Sequence, residues 1–306
     1  MYHSLKATAR QFHLYIFAFD DLSYRILKDL NLESATIISL RDFETDRLKD
    51  IKKSRSIAEY CWTCTPSVIS HVIEHFNVPE CTYVDSDLVF YSDPAILISE
   101  LDIHKKNVLI TEHRYSLLPR LYEEKRGGRF CVQFMTFRNE PSGMEVLERW
   151  RNQCLDWCFS RYEDGKFGDQ KYLDEWPGIY PNVHILENHG GGLAPWNLQN
   201  YSITNENDSI MLTHKNSKEQ LVFYHFQYVK PLGNGKYDIG WYLIPSEVRR
   251  LLYINYLDKI ESTEKELIQI YSDYKRSLST FRTHGFKGFF KNILKGTFHY
   301  NILEIH

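Results

Sequence analysis

The segment that most restricts how this chain can fold is Cys81-Thr82-Tyr83-Val84-Asp85-Ser86-Asp87-Leu88-Val89-Phe90, an apolar stretch interrupted by two carboxylates. Its apolar lead belongs in a buried strand, and the acidic pair belongs where that strand leaves the core. Side chains alternate faces along an extended segment, so Asp85 and Asp87 are expected to point the same way and Ser86 the other. Two anions held side by side repel unless something positive sits between them, and a divalent cation with oxygen ligands is the usual solution. The pair therefore asks for a sheet with an open carboxyl end and a cation at that end.

The flanking sequence supplies such a sheet. Residues 11–20 and 35–40 read as strands and residues 21–30 and 41–53 as helices, with Asp20 or Asp21 capping the first helix. Residues 57–76 read as helix that Pro66 either kinks or divides. Residues 107–111 and 130–138 are further strands, and residues 141–160 a helix with Pro141 in its first turn. This alternation predicts a layered α/β domain with a largely parallel sheet, in which ligands collect outside the carboxyl ends of strands. Residues 162–240 are rich in Gly, Pro, Asn and aromatics, with short strands near 183–186 and 221–226, a loop-dominated region suited to site residues.

Length and composition narrow the function. A chain of 306 residues with 43% hydrophobic and 25% charged residues has a globular character and room for a sizeable core. A net charge of -3 gives no basic footprint, so no nucleic-acid partner is expected. The start has no secretory pattern and no stretch approaches the roughly 20 apolar residues that span a bilayer, so the expected location is the cytoplasm. The cysteines read as reduced thiols. Cys61 and Cys64, with His71 and His75, have a spacing that invites a zinc reading. Cys61, Cys64, Val68 and His71 share one helical face, however, which favours a packed helix. Cys154 and Cys158 read as core residues. An aspartyl phosphohydrolase would need a later acidic pair, whereas Asp20 and Asp21 precede Asp85 and Asp87.

Four further segments stand in order along the chain: Phe90-Tyr91-Ser92-Asp93-Pro94 after the acidic pair, Gly168-Asp169-Gln170-Lys171-Tyr172-Leu173, Gly191-Gly192-Leu193-Ala194-Pro195-Trp196-Asn197, and Phe223-Tyr224-His225-Phe226-Gln227-Tyr228-Val229-Lys230-Pro231. Together with Asp85 and Asp87 they resemble the motifs of bacterial GT-A fold nucleotide-diphospho-sugar glycosyltransferases of the family 8 type. The resemblance implies a Rossmann-like three-layer α/β/α domain over residues 1–245 and a metal-dependent transfer of a hexose from a nucleotide diphosphate sugar, UDP-linked, to a glycan or lipid-linked glycan acceptor. It assigns Asp85, Asp87 and His225 to a Mn²⁺ or Mg²⁺ ion. It places Asp85, Lys230, Trp196 and Asn197 on the donor, Lys230 at the diphosphate, and Asp169 and Gln170 beside the reacting sugar. The Asp169, Gln170 and His225 motifs look more like those of retaining enzymes. The interval from His225 to Lys230 is one residue shorter than in the family, and the chain opens on the helix that there follows a base-binding first strand. A longer gene product and an altered donor site both account for that start. A noncatalytic nucleotide-sugar or glycan binding protein of the same fold is the alternative.

Residues 246–306 read as a helical extension. Between Asp273 and Glu304 there is no acidic residue, and Phe286, Phe289, Phe290, Ile293 and Leu294 recur at helical spacing beside Lys287, Lys291 and Lys295. Such a basic aromatic helix over residues 285–298 is expected to lie on the cytoplasmic face of an anionic membrane, which suits lipopolysaccharide or capsule assembly. Docking onto its own domain is the other reading.

Overall fold

The computed structural model describes residues 1–279, 293–295 and 298–305. After a short helix, Tyr2–Thr8, strand β1 (Leu14–Ala18) leads to a helix, Asp21–Asp29, and to β2 (Ala35–Ser39), which pairs with β1 in parallel. Asp20 is the cap of that helix, its Oδ1 accepting from Ser23 N at 2.7 Å. The helix expected over residues 41–53 is divided, because Thr45 caps a new one, Asp46–Lys52, after Leu40–Phe43.

Beyond the Ile57–Phe76 helix lie β3 (Glu80–Val84), β4 (Leu88–Phe90), β5 (Val108–Glu112), β6 (Phe130–Arg138) and β7 (Val183–Ile185). The central sheet has the order β3-β6-β5-β7. It is not largely parallel: β6 is antiparallel to both neighbours and only β5 and β7 run together. Local periodicity distinguishes strand from helix, but direction is set by long-range pairing, which a sequence pattern does not carry. Further strands are β8 (Ser202–Glu206), β9 (Ser209–His214) and β10 (Ser217–Gln220), a meander, and β11 (Phe223–His225), antiparallel to β4.

One face of the central sheet packs on the helices Ile57–Phe76 and Pro141–Asp156 through Ile69, Ile73, Met135, Phe137, Trp150 and Trp176. Burying an aromatic side chain of this size contributes about 1.5–3 kcal/mol, so this layer anchors the sheet. The Ile57–Phe76 helix runs unbroken through Pro66. Its start is secured by a reciprocal cap between Ser56 and Glu59, and the second Glu59 oxygen accepts from Ser160 N at 2.7 Å, binding the helix to the chain beyond Asp156. Cys154 and Cys158 lie in this core, and all the cysteines are free thiols. The opposite face packs on the β4-β11 ribbon through Leu88, Phe90, Phe134 and Phe223.

Residues past 245 share a core with those before it. Val248, Leu251, Leu252 and Tyr253 pack with Leu193, Tyr224 and Phe226, and the Ile254–Ile270 helix follows. Strands β12 (Lys230–Gly233), β13 (Lys236–Asp238) and β14 (Ile302–Glu304) form a small sheet, so the chain after the helices returns to the Lys230 hairpin. Most of the expected basic aromatic tail, including Phe286, Lys287, Phe289, Phe290 and Lys291, lies outside the described residues. Lys295 departs from the expected surface stripe: it is fully buried, with Nζ 2.6 Å from Asp238 Oδ1 and 2.6 Å from the Gly240 carbonyl. Among the described residues no helix is long and apolar enough to cross a membrane.

Candidate metal centre

Asp85 and Asp87 do not lie within an extended strand as expected. Strand β3 ends at Val84, and Leu88 N donates to the Asp85 carbonyl at 3.3 Å, closing a turn that sends the chain from β3 into β4. Both carboxylates still converge, now by turn geometry rather than by pleat. Because β4 pairs with β11, with Leu88 opposite His225, the same turn sets the acidic pair beside the histidine. Phe226 N donates to the Asp87 carbonyl at 3.0 Å and His225 N to the Leu193 carbonyl at 2.9 Å, fixing the backbone on both sides.

His225 Nε2 lies 3.1 Å from Asp87 Oδ1 and 3.8 Å from Asp85 Oδ2. Ligand atoms of the three residues all fall within 4.8 Å of one another, and the edges of an octahedral site with bonds near 2.1 Å are roughly 3 Å. The imidazole is the deep member, 7% exposed against 30% for Asp85 and 39% for Asp87, so the cluster opens toward solvent through its carboxylates. Burial alone would depress His225, yet its hydrogen bond to Asp87 and the charges of both carboxylates hold it well above the ordinary imidazole range. Burial likewise acts to raise Asp87, but His225 brings it below the usual carboxylate range. Asp85 is raised, by burial and by the charge of Asp87. The imidazolium thus balances the carboxylates, and a divalent cation is the group that would take over that balance. Two carboxylate oxygens and an imidazole nitrogen fit Mn²⁺ or Mg²⁺.

Residues not foreseen complete the centre. Gln133 Oε1 accepts from His225 Nδ1 at 2.6 Å, leaving the lone pair of Nε2 toward the carboxylates when the ring is neutral. Gln133 lies where the pairing of β6 with β5 slips between Leu109 opposite Thr136 and Thr111 opposite Cys131. Such an irregularity re-aims a side chain, and no local pattern announces it. Tyr83 donates from its hydroxyl to Asp85 Oδ1 at 2.9 Å, a charge-assisted bond of about 1.5–3 kcal/mol.

Asp169 is buried and near enough to Asp85 to feel its charge. Burial first, and then the charge of Asp85, push its carboxyl up to about 7, against a hydrogen bond from Thr65 that lowers it. Gly168 adopts φ 55°, a left-handed conformation that favours glycine and turns Asp169 inward, and Trp150 Nε1 donates to the Asp169 carbonyl at 2.8 Å. Gln170 donates from Nε2 to the Gly127 carbonyl, which joins it to the segment before β6.

The remaining expected residues divide. Trp196 is buried with its ring edge-on to His225 at 5.3 Å, and its indole donates to the His113 carbonyl at 2.8 Å. Asn197 is fully buried, its amide donating to the carbonyls of His113 at 2.8 Å and Gly192 at 2.9 Å and accepting from Ala194 N at 3.0 Å. Its polar atoms are therefore spent on holding the loop. Gly192 permits that loop's approach, since at φ 93° an added Cβ would meet Thr111 Cγ2 at 2.9 Å. Lys230 is exposed, its ammonium 4.3 Å from the centre of the Tyr228 ring, and it makes no ion pair with Asp85 or Asp87.

No protein-family model matches the chain. Two proteins of Bacillus subtilis strain 168 are similar to it. Uncharacterized protein YfnD is 28% identical over 279 residues, covering 90% of this chain and 88% of that protein. Uncharacterized protein YfnF is 28% identical over 237 residues, covering 74% and 75%. Among solved structures, the apo form of mouse xyloside xylosyltransferase 1 is similar, with a TM-score of 0.44 and 15% identity over 74% of this chain and 89% of that one.

Proposed function

We propose that the chain is a metal-dependent glycosyltransferase that moves a hexose from a nucleotide diphosphate sugar, UDP-linked, to a glycan or lipid-linked glycan acceptor with retention of configuration. The observation that carries the reading is the convergence of Asp85 and Asp87 with His225 from a distant part of the chain, with the buried Asp169 carboxyl close enough to couple to Asp85. Breaking the bond between an anomeric carbon and a diphosphate builds negative charge on the leaving group and positive charge on the sugar. Bound Mn²⁺ or Mg²⁺ supplies charge stabilisation for the leaving diphosphate.

The chain's own residues divide the remaining work. Asp85, Asp87 and His225 would hold the cation, and Gln133 keeps His225 in the required orientation. Asp169 places a carboxyl where positive charge grows on the sugar, and that charge favours its ionised form. Gln170 fixes the same turn to the Gly127 carbonyl. Lys230 would leave the Tyr228 ring to meet the diphosphate, while Trp196 walls the centre. Membrane work, in lipopolysaccharide or capsule assembly at the cytoplasmic face, is supported by the basic aromatic composition of residues 285–298. With Lys295 committed to Asp238, that contact would rest on Lys287 and Lys291.

A thermal-shift panel of nucleotide sugars with and without Mn²⁺ tests the donor assignment. A UDP-sugar should raise the unfolding midpoint only with the metal, by the equivalent of about 2.7 kcal/mol at a hundredfold excess over Kd. No shift with any nucleotide sugar would refute it. A shift without turnover would identify a noncatalytic binding protein.

A further inference from the structure

A second cluster of metal-ligating side chains lies outside the centre already described. His104 ends the Glu100–His104 helix, His184 sits in β7, and Glu187 follows β7; their ligand atoms all fall within 4.8 Å of one another. The His104 and His184 rings stack face to face at 4.2 Å, 19° from parallel, so the exposed His104 ring must turn out of the stack before both lone pairs can meet one ion; in the stack His104 Nε2 stands 3.7 Å from Glu187 Oε2. That separation is too long for a hydrogen bond. It is close to the roughly 3.3 Å edge of a tetrahedron with bonds of 2.0–2.1 Å, the geometry of zinc held by nitrogen and oxygen.

The support behind these residues is built in. Glu100 is buried, and its carboxylate accepts from His184 Nε2 at 2.7 Å, Glu187 N at 2.8 Å and Asn188 N at 2.9 Å. With Nε2–H donating to a carboxylate, the His184 lone pair is on Nδ1. A carboxylate behind a histidine is the arrangement that orients metal-binding imidazoles and raises their basicity. Two imidazoles and one carboxylate, with a position left for water, suit Zn²⁺ better than Mg²⁺ or Ca²⁺, which prefer all-oxygen sets.

We infer that His104, His184 and Glu187 form a second divalent-metal site of the zinc class, with Glu100 as the residue that positions His184. A cation there would pin the Glu100–His104 helix to the exit of β7. That exit starts the loop whose later residues, Gly192 to Asn197, bring Trp196 against His225. The site is thus placed to hold the loop, apart from the centre of Asp85, Asp87 and His225.

The test titrates the metal-free full-length chain carrying Asp87→Ala with ZnCl₂ in competition with a chromophoric chelator, so that the first centre is disabled. A single zinc ion should bind, and adding His104→Ala or Glu187→Ala should weaken binding by about tenfold or more. Those side chains are 34% and 69% exposed, so their removal leaves folding intact. Absence of zinc binding in Asp87→Ala, or binding that neither added substitution weakens, overturns the inference. Should Asp87→Ala fail to fold, the same titration is made on a wild-type background: zinc capacity should drop by one ion in His104→Ala, and an unchanged capacity overturns the site.

Discussion

Gln133 accepts a hydrogen bond from His225 Nδ1 at 2.6 Å, and this bond decides which nitrogen of the ring faces Asp87. Removing the acceptor lets the ring turn or change tautomer without touching a metal-facing atom. Gln133→Leu should therefore fold and weaken Mn²⁺ affinity about 10–100-fold, measured by calorimetric titration. Unchanged affinity would show that packing against Trp196 and the contact with Cys131 hold the ring without Gln133.

Asp169 carries a buried carboxyl raised to about 7 by desolvation and by Asp85. Its folded-state value lies above the unfolded one, so the stability it contributes is present at low pH and is lost as pH rises toward and through 7. Asp169→Asn removes that titration while keeping the shape. The variant should unfold at a higher temperature than wild type at pH 8, by a margin that shrinks as pH falls below 7 and vanishes only below about pH 4, and should lose sugar transfer. A lower midpoint at pH 8 would contradict the assignment.

His113 is pushed down to about 3, chiefly by burial, whereas an unfolded chain protonates its histidines near 6.5. Between those values the unfolded state binds a proton that the folded state does not, so this group makes stability fall with falling pH. The slope it contributes is about 1.4 kcal/mol per pH unit below 6.5. His113→Phe should flatten urea-unfolding stability across pH 6 to 4 by that amount; an unchanged slope would count against it.

Lys295 and Asp238 form a fully buried pair that fastens the end of the chain to the Lys230 hairpin. Burial lowers the Lys295 ammonium, and Asp238 opposes that shift. Asp238→Ala leaves the cation unpaired and should cost about 3–5 kcal/mol in chemical unfolding. The double variant with Lys295→Met should recover most of the loss. Failure to recover would mean that Asp238 acts through Gly240 N, which it accepts from at 2.9 Å, rather than through the lysine.

How much of this was legible in the sequence varied with the range of the interaction. The acidic pair was readable because an apolar strand stops abruptly at Asp85, and the strand over residues 130–138 was readable from its largely apolar run, which the fold buries almost throughout. His225 emerged only through its motif, since a histidine in an aromatic strand has no local mark of ligation. Gln133 was invisible because the slip in β6 that aims it depends on the partner strand. In the meander, β8 and β10 escaped because they are polar and largely exposed, and β9 because its alternation of buried Ile210 and Leu212 is short and lies among polar neighbours; β14 escaped because three residues carry no periodicity. For Lys295, helical spacing revealed a basic face but not the buried Asp238 that meets it.

The most direct measurement of the central claim is UDP-sugar hydrolysis by the purified full-length chain, with Mn²⁺ and with chelator, in wild type and Asp87→Ala. Turnover is expected in the wild type, requiring the metal, and should be abolished in Asp87→Ala, because the carboxylate nearest His225 is lost. Equal turnover in the two proteins, or turnover that survives the chelator, would contradict it.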